Sequence, residues 1–206
     1  MKNIFALIFT LLLLSGCASA IKKYEKMSTE PISASSVSNA ATSISATQLS
    51  LDNEIKVDLK KGLPILQAEG FRSYYEVFEF DAKAGETYKI TANSLCACFG
   101  FTKLIMVPVG QVFGPEGELV LSAPQKVELL RANWDHPARA VSYFEFSPEF
   151  DGKHRFILYG DNSIPGKVIG TDTGVGANGY IVLTVQVKLQ SGPDGKVLVK
   201  LTNKSG

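Results

Sequence analysis

Tyr180-Ile181-Val182-Leu183-Thr184-Val185-Gln186-Val187-Lys188-Leu189 is the stretch on which the fold turns. Ile181, Leu183, Val185, Val187 and Leu189 fall on one face of an extended chain, and Thr184, Gln186 and Lys188 on the other. Alternation with a period of two is the mark of a half-buried strand. Lys196–Thr202 repeats it, with Val197, Val199 and Leu201 on one face. Asp194-Gly195 lies between them and suits a type I′ turn, whose two central residues both need positive φ. The three segments together predict a hairpin.

The same texture runs back to residue 51. Tyr74–Phe80 reads as a strand, and so does Thr87–Ala92, with Tyr88, Ile90 and Ala92 on one face. Leu104–Val109 is a more continuous apolar run, and Glu118–Leu121 follows the turn Pro115-Glu116-Gly117. Val141–Phe146 and His154–Tyr159 flank a second Asp-Gly pair, Asp151-Gly152. No helical periodicity of comparable quality accompanies them. Many short strands at regular spacing predict an all-β, antiparallel β-sandwich over residues 51–206.

Three stretches resemble the bacterial pre-peptidase C-terminal domain. Tyr75-Glu76-Val77-Phe78-Glu79-Phe80-Asp81-Ala82-Lys83-Ala84-Gly85-Glu86-Thr87-Tyr88-Lys89-Ile90 is similar to its strand, turn, strand unit. Val112-Phe113-Gly114-Pro115-Glu116-Gly117-Glu118-Leu119 is similar to its Gly-containing hairpin, and Phe150–Leu158 to its closing strand. The resemblance implies a jelly-roll-like sandwich that serves as a binding or targeting module. Gly160–Gly179, which departs from that pattern, reads as a long inserted loop.

The start of the chain belongs to targeting rather than folding. Lys2 is followed by Phe5–Leu14, ten residues among which only Thr10 is polar. That is too short for a spanning helix, which needs about 20 residues. Leu14-Ser15-Gly16-Cys17 resembles the lipobox of bacterial lipoproteins. The resemblance implies that residues 1–16 are a signal peptide removed before Cys17, and that Cys17 carries a diacylglyceryl thioether and an N-acyl chain such as palmitate. Ala18 in place of Asp after the cysteine implies the outer membrane, most simply its periplasmic side. An ordinary secretory signal cut after Ala18 or Ala20 is the alternative.

Residues 17–50 read as a lipidated cysteine and a flexible tether. Positions 28–50 hold eight Ser, three Thr and four Ala and no aromatic residue, too little apolar surface to offset the entropy of ordering. Such a coil would span roughly 30 Å. A short helix around Ala40–Gln48 is the rival reading. Charge is balanced, 21 Lys and Arg against 20 Asp and Glu, and Lys2 leaves with the signal. Without a basic cluster, nucleic acid is not an expected partner.

Few residues suggest chemistry. Cys96-Ala97-Cys98 places both sulfurs on one face of a strand; buried thiols or a disulfide, a soft metal site and a redox pair are the three readings. Asp161 and Asp172 offer hard oxygen ligands in the expected loop. Gly174-Val175-Gly176-Ala177-Asn178-Gly179 matches G-x-G-x-x-G but precedes a strand, where a dinucleotide site needs a helix. Trp134, the chain's one tryptophan, sits with His136, Arg131 and Arg139 in a polar loop suited to binding. No cofactor is implied. The expected function is a lipid-anchored cell-envelope lipoprotein whose sandwich is a non-catalytic binding or structural module. It would engage the membrane through its lipid and a protein or polysaccharide partner. The alternatives are an envelope hydrolase using His136 or His154, and a periplasmic metal handler using Cys96 and Cys98.

Overall fold

Strict alternation meets a strict outcome in Tyr88–Leu95, where every second residue from Tyr88 to Ser94 is buried. The computed structural model describes residues 20–204 apart from 44, 69, 100–101, 133–136 and 179–180. The chain is all-β, with its strands gathered into three sheets. The first has the order β1 (Thr47–Gln48), β4 (Phe71–Ala82), β12 (Gly152–Gly160), β8 (Pro108–Phe113), β9 (Leu119–Leu121), with β3 (Ile65–Ala68) also paired to β4. The second runs β10 (Lys126–Leu130), β11 (Arg139–Phe146), β5 (Tyr88–Leu95), β15 (Gly195–Asn203), β2 (Glu54–Leu59). The third is smaller: β13 (Val168–Asn178), β14 (Ile181–Ser191), β7 (Thr102–Ile105), β6 (Ala97–Phe99).

The first two sheets pack face to face as a sandwich. Phe156 of β12 stacks on its cross-strand partner Phe78 at 6.1 Å and meets Phe144 of β11 edge-on at 4.8 Å. Edge-to-face geometry sets the positive ring edge against the negative ring face, which adds to the burial term. Tyr88, Phe80 and Phe146 extend the same layer. Gly110 has to be glycine here: a Cβ would lie 2.4 Å from the Ile157 carbonyl oxygen and 2.6 Å from the Phe156 ring.

A further layer covers the outside of the first sheet. Residues 20–28 (α1) and Val37–Ser43 (α2) are helical. Ala34, Ala40 and Ala41 cluster with Tyr75, Val77, Ile157 and Tyr159 on that outer face. Tyr24 and Met27 of α1 join the main core. The expected flexible tether is therefore corrected over the described residues 20–50. Alanine's small side chain lets backbone approach an aromatic-rich sheet closely, and contact replaces the solvation that composition implied. The rival helix is realised only in part, as Val37–Ser43, while Thr47–Gln48 is strand.

The Asp-Gly hairpins are also corrected. β11 and β12 lie in different sheets, as do β14 and β15. Among the described residues the one non-glycine with positive φ is Asp52, so neither Asp151 nor Asp194 supplies the first half of a type I′ turn. Both pairs sit where the chain crosses between sheets. The Pro115-Glu116-Gly117 hairpin does form, closed by Gly114 N–H donating to the Glu118 carbonyl at 2.9 Å. Gly160–Gly179 is not a long loop, since most of it is β13, paired antiparallel with β14.

Candidate functional site

Among the described residues no helix covers the outer face of the second sheet around Tyr143, although Val141 on that face is buried. β5, β10 and β11 turn Lys89, Lys126, Glu128, Tyr143 and Glu145 outward, and with Gln125 these line an open groove of ≈ 650 Å³. Antiparallel register places them: Lys89 is opposite Glu145, and Lys126 is opposite Tyr143. Lys89 Nζ lies 4.4 Å from the centre of the Tyr143 ring, a cation over the π face. The Tyr143 hydroxyl donates to Glu128 Oε2 at 2.9 Å, and Lys126 Nζ pairs with Glu128 Oε1 at 2.5 Å. Gln125 extends the sheet with its side chain, accepting from Glu145 N–H at 2.7 Å and donating to the Glu145 carbonyl. Lys204 pairs with the Glu145 carboxylate.

The Lys126 ammonium, then the Tyr143 hydroxyl, hold the Glu128 carboxyl below its ordinary value. Glu128 in turn raises Lys126. Burial first, and then Glu128, push the Tyr143 phenol up. These shifts keep the carboxylate ionised and the phenol neutral through the physiological range. An ionised carboxylate accepts hydrogen bonds. Volume falls within the span of small-molecule sites, but the charged, open lining suits a polar chain lying along the surface.

The sequence reading missed this face because an aromatic residue in a strand reads as core. The available clue was parity: in Val141–Phe146, Tyr143 shares its side with Glu145, while Phe144 and Phe146 point inward.

The sites expected from sequence are distributed as follows. Cys17, Trp134 and His136 lie outside the described residues. Arg131 is exposed just beyond β10, and Arg139, half-buried, opens β11 opposite Leu130. The two arginines thus stand at the stem of one loop. Cys96 N–H donates to the Ala138 carbonyl at 3.0 Å, so the cysteine lies beside that stem. It packs with Ala132, Ala138, Ala140, Ile105, Ile169 and Leu189. Cys96 is disulfide-bonded, and a bonded sulfur is not a thiolate ligand. Cys98 belongs to β6, opposite Lys103, and its side chain is outside the described residues.

Asp161 Oδ1 closes a local turn, accepting from Ser163 N–H at 3.1 Å and from its hydroxyl at 2.7 Å. Asp172 lies within β13 opposite Val187, its side chain outside the described residues. Among the described residues no three His, Cys, Asp or Glu side chains gather as a metal site. His154 is fully buried, its ring 5.9 Å from Phe80 and Nδ1 3.0 Å from the Gly152 carbonyl oxygen. Inside the sandwich it has no access to a substrate, so the hydrolase alternative loses that histidine. Among the described residues no helix is long and apolar enough to cross a membrane.

No family model matches the sequence, and no curated protein matches it. Among solved structures, the chain is similar to the pre-peptidase C-terminal domain of collagenase from Bacillus anthracis. The identity is 14%, the TM-score is 0.35, and the match covers 77% of this chain and 95% of that one. A likeness at that level carries neither ligand nor activity from that domain to this chain.

Proposed function

We propose that the chain is a cell-envelope lipoprotein, lipidated at Cys17 and facing the periplasm from the outer membrane. Its β-sandwich is a non-catalytic module that binds a glycan strand of the envelope along the outer face of β5, β10 and β11. The observation that carries the reading is Tyr143, held between the Lys89 cation and the ionised Glu128 on a rigid sheet. An aromatic ring offers a face for a sugar, and preset carboxylates and ammonium groups meet its hydroxyls. Side chains already paired with one another lose little freedom on binding. Arg131 and Arg139 flank the loop of the same hairpin that carries Trp134 and His136, and extend the surface along the strand direction.

The test uses the intact lipidated protein in detergent micelles, titrated calorimetrically with soluble envelope glycan fragments. Tyr143→Ala and Lys89→Ala are each expected to weaken binding by about tenfold, in the range of a contact worth 1–2 kcal/mol. Glu116→Ala, in the β8–β9 turn, leaves it unchanged. Binding that survives both groove variants removes the groove from the reading. Hydrolysis of the glycan would make the module an enzyme, and capture of an envelope protein that glycan does not displace would make the partner a protein.

A further inference from the structure

The start of α1 is docked on the sandwich. Ala20 is buried to 1% exposure, and Tyr24 and Met27, one and two turns further along α1, are buried with it. The Tyr24 hydroxyl donates to Asn162 Oδ1 at 3.1 Å, and Lys23 Nζ pairs with Asp194 at 2.8 Å. The turn holding Ile164, Gly166 and Lys167 lies against the start of α1, since a Cβ at Gly166 would be 3.9 Å from that of Ala20. Three peptide steps separate Cys17 from Ala20, a reach of about 10 Å at full extension.

Around this point the surface changes character. Ile21, Ile164 and Val168 are 49%, 55% and 48% exposed. Lys22, Lys26 and Lys167 are exposed beside them, with Glu25 the acidic residue on the same helix. Exposed aliphatic side chains with lysines near them in the chain, Asp161 and Asp194 also lying close to Tyr24, suit the boundary between headgroups and acyl chains of a leaflet.

We infer that this end of the sandwich is a membrane-seating surface. Ile21, Ile164 and Val168 enter the headgroup region, Lys22, Lys26 and Lys167 meet anionic lipid phosphates, and the domain stands on the leaflet in one orientation. The inference rests on lipidation of Cys17, since the short reach to Ala20 is what brings these residues to the bilayer. The opposite end, where Gly152 meets Pro115, is held away by the length of β12, about 30 Å for nine residues.

The experiment places single tryptophans in the full-length, lipidated protein with Trp134→Phe, reconstituted in phosphatidylethanolamine–phosphatidylglycerol vesicles. Acyl-chain-brominated lipid is the quencher. The Ile164→Trp variant is expected to lose roughly half its emission, as for a side chain 5–10 Å into the boundary. The Glu116→Trp variant is expected to lose almost none. Equal quenching at both positions, in protein whose mass shows the acyl chains and which floats with the vesicles, overturns the seating and leaves the anchor intact. Protein without acyl mass at Cys17 overturns both. A blue shift at position 164 without quenching, in protein that elutes as a dimer, gives the patch to a second copy and overturns the inference.

Discussion

The two large sheets differ in what lies behind them. β4 is buried on both sides, with Phe78 and Phe80 facing the sandwich interior and Tyr75 and Val77 facing Ala34, Ala40 and Ala41. β5 is fully buried on one side and half-buried on the other, where Lys89, Thr91 and Asn93 lie. The second face of a strand thus reports whether another layer exists. Apolar residues on both faces of Tyr74-Tyr75-Glu76-Val77-Phe78 required a cover, and the Ser- and Ala-rich segment before it supplies one. Polar residues on the outer face of β5 required none, and that face was left to carry a groove.

Breaking the shared interior should have the largest effect. Phe156→Ala removes a ring from the middle of the sandwich and is expected to cost about 3–5 kcal/mol. That is a large part of the 5–15 kcal/mol typical of a domain. Lys89→Ala on the uncovered face should change stability by less than about 0.5 kcal/mol. Chemical denaturation of both variants measures the difference, and similar losses would contradict the contrast between faces.

The cover is tested by Ala40→Glu. Ala40 is fully buried against the first sheet, and an unpaired carboxylate there costs several kcal/mol. The expected result is release of residues 30–50 to protease, while the sandwich fragment resists digestion. One cooperative loss of the whole fold would mean that the cover and the sandwich are a single unit.

Alkali should give the mildest separation. Burial pushes Tyr24 and Tyr74 up to about 12, and a hydrogen bond to Glu30 adds to the shift at Tyr74. Their unfolded value is 10.0, so the folded state favours the neutral phenols. That contribution is present in full below pH 10 and is lost as pH rises through about 12. Both rings hold the N-terminal segment, Tyr24 through Asn162 and Tyr74 through Glu30. Between these pH values α1 should become protease-sensitive before the sandwich unfolds, and Tyr24→Phe should shift that onset upward.

The class of fold was legible because alternation is local. Tyr74–Phe80, Thr87–Ala92 and the Pro115–Gly117 turn can be read within a few residues. Sheet membership was not legible, because Asp151-Gly152 and Asp194-Gly195 carry turn chemistry whether the chain returns beside itself or crosses to another sheet. β13 was hidden by its glycines. Gly170 sits where a Cβ would be 3.1 Å from the Leu129 side chain, so glycine there marks close approach within a strand rather than a loop. Arg131 and Arg139 could be read as flanking one loop, but nothing local showed that Cys96 would lie beside it. Tyr143 was missed because its partner Glu128 is a diagonal neighbour across two strands, a relation that exists only once register is set.

β15 follows every other strand in the chain, yet it lies between β5 and β2 in the interior of the second sheet. It is hydrogen-bonded on both edges, to Glu54–Leu59 on one side and Tyr88–Leu95 on the other. Until residues 195–203 arrive, β2 has no partner and β5 presents an open edge. Synthesis runs from the N-terminus, so this sheet is completed late, by its own middle. A sheet built this way stays unfinished until residues 195–203 have been made. The same design leaves an apolar edge exposed during that interval, which makes the order of arrival, rather than the final stability, the quantity a holding chaperone would have to manage.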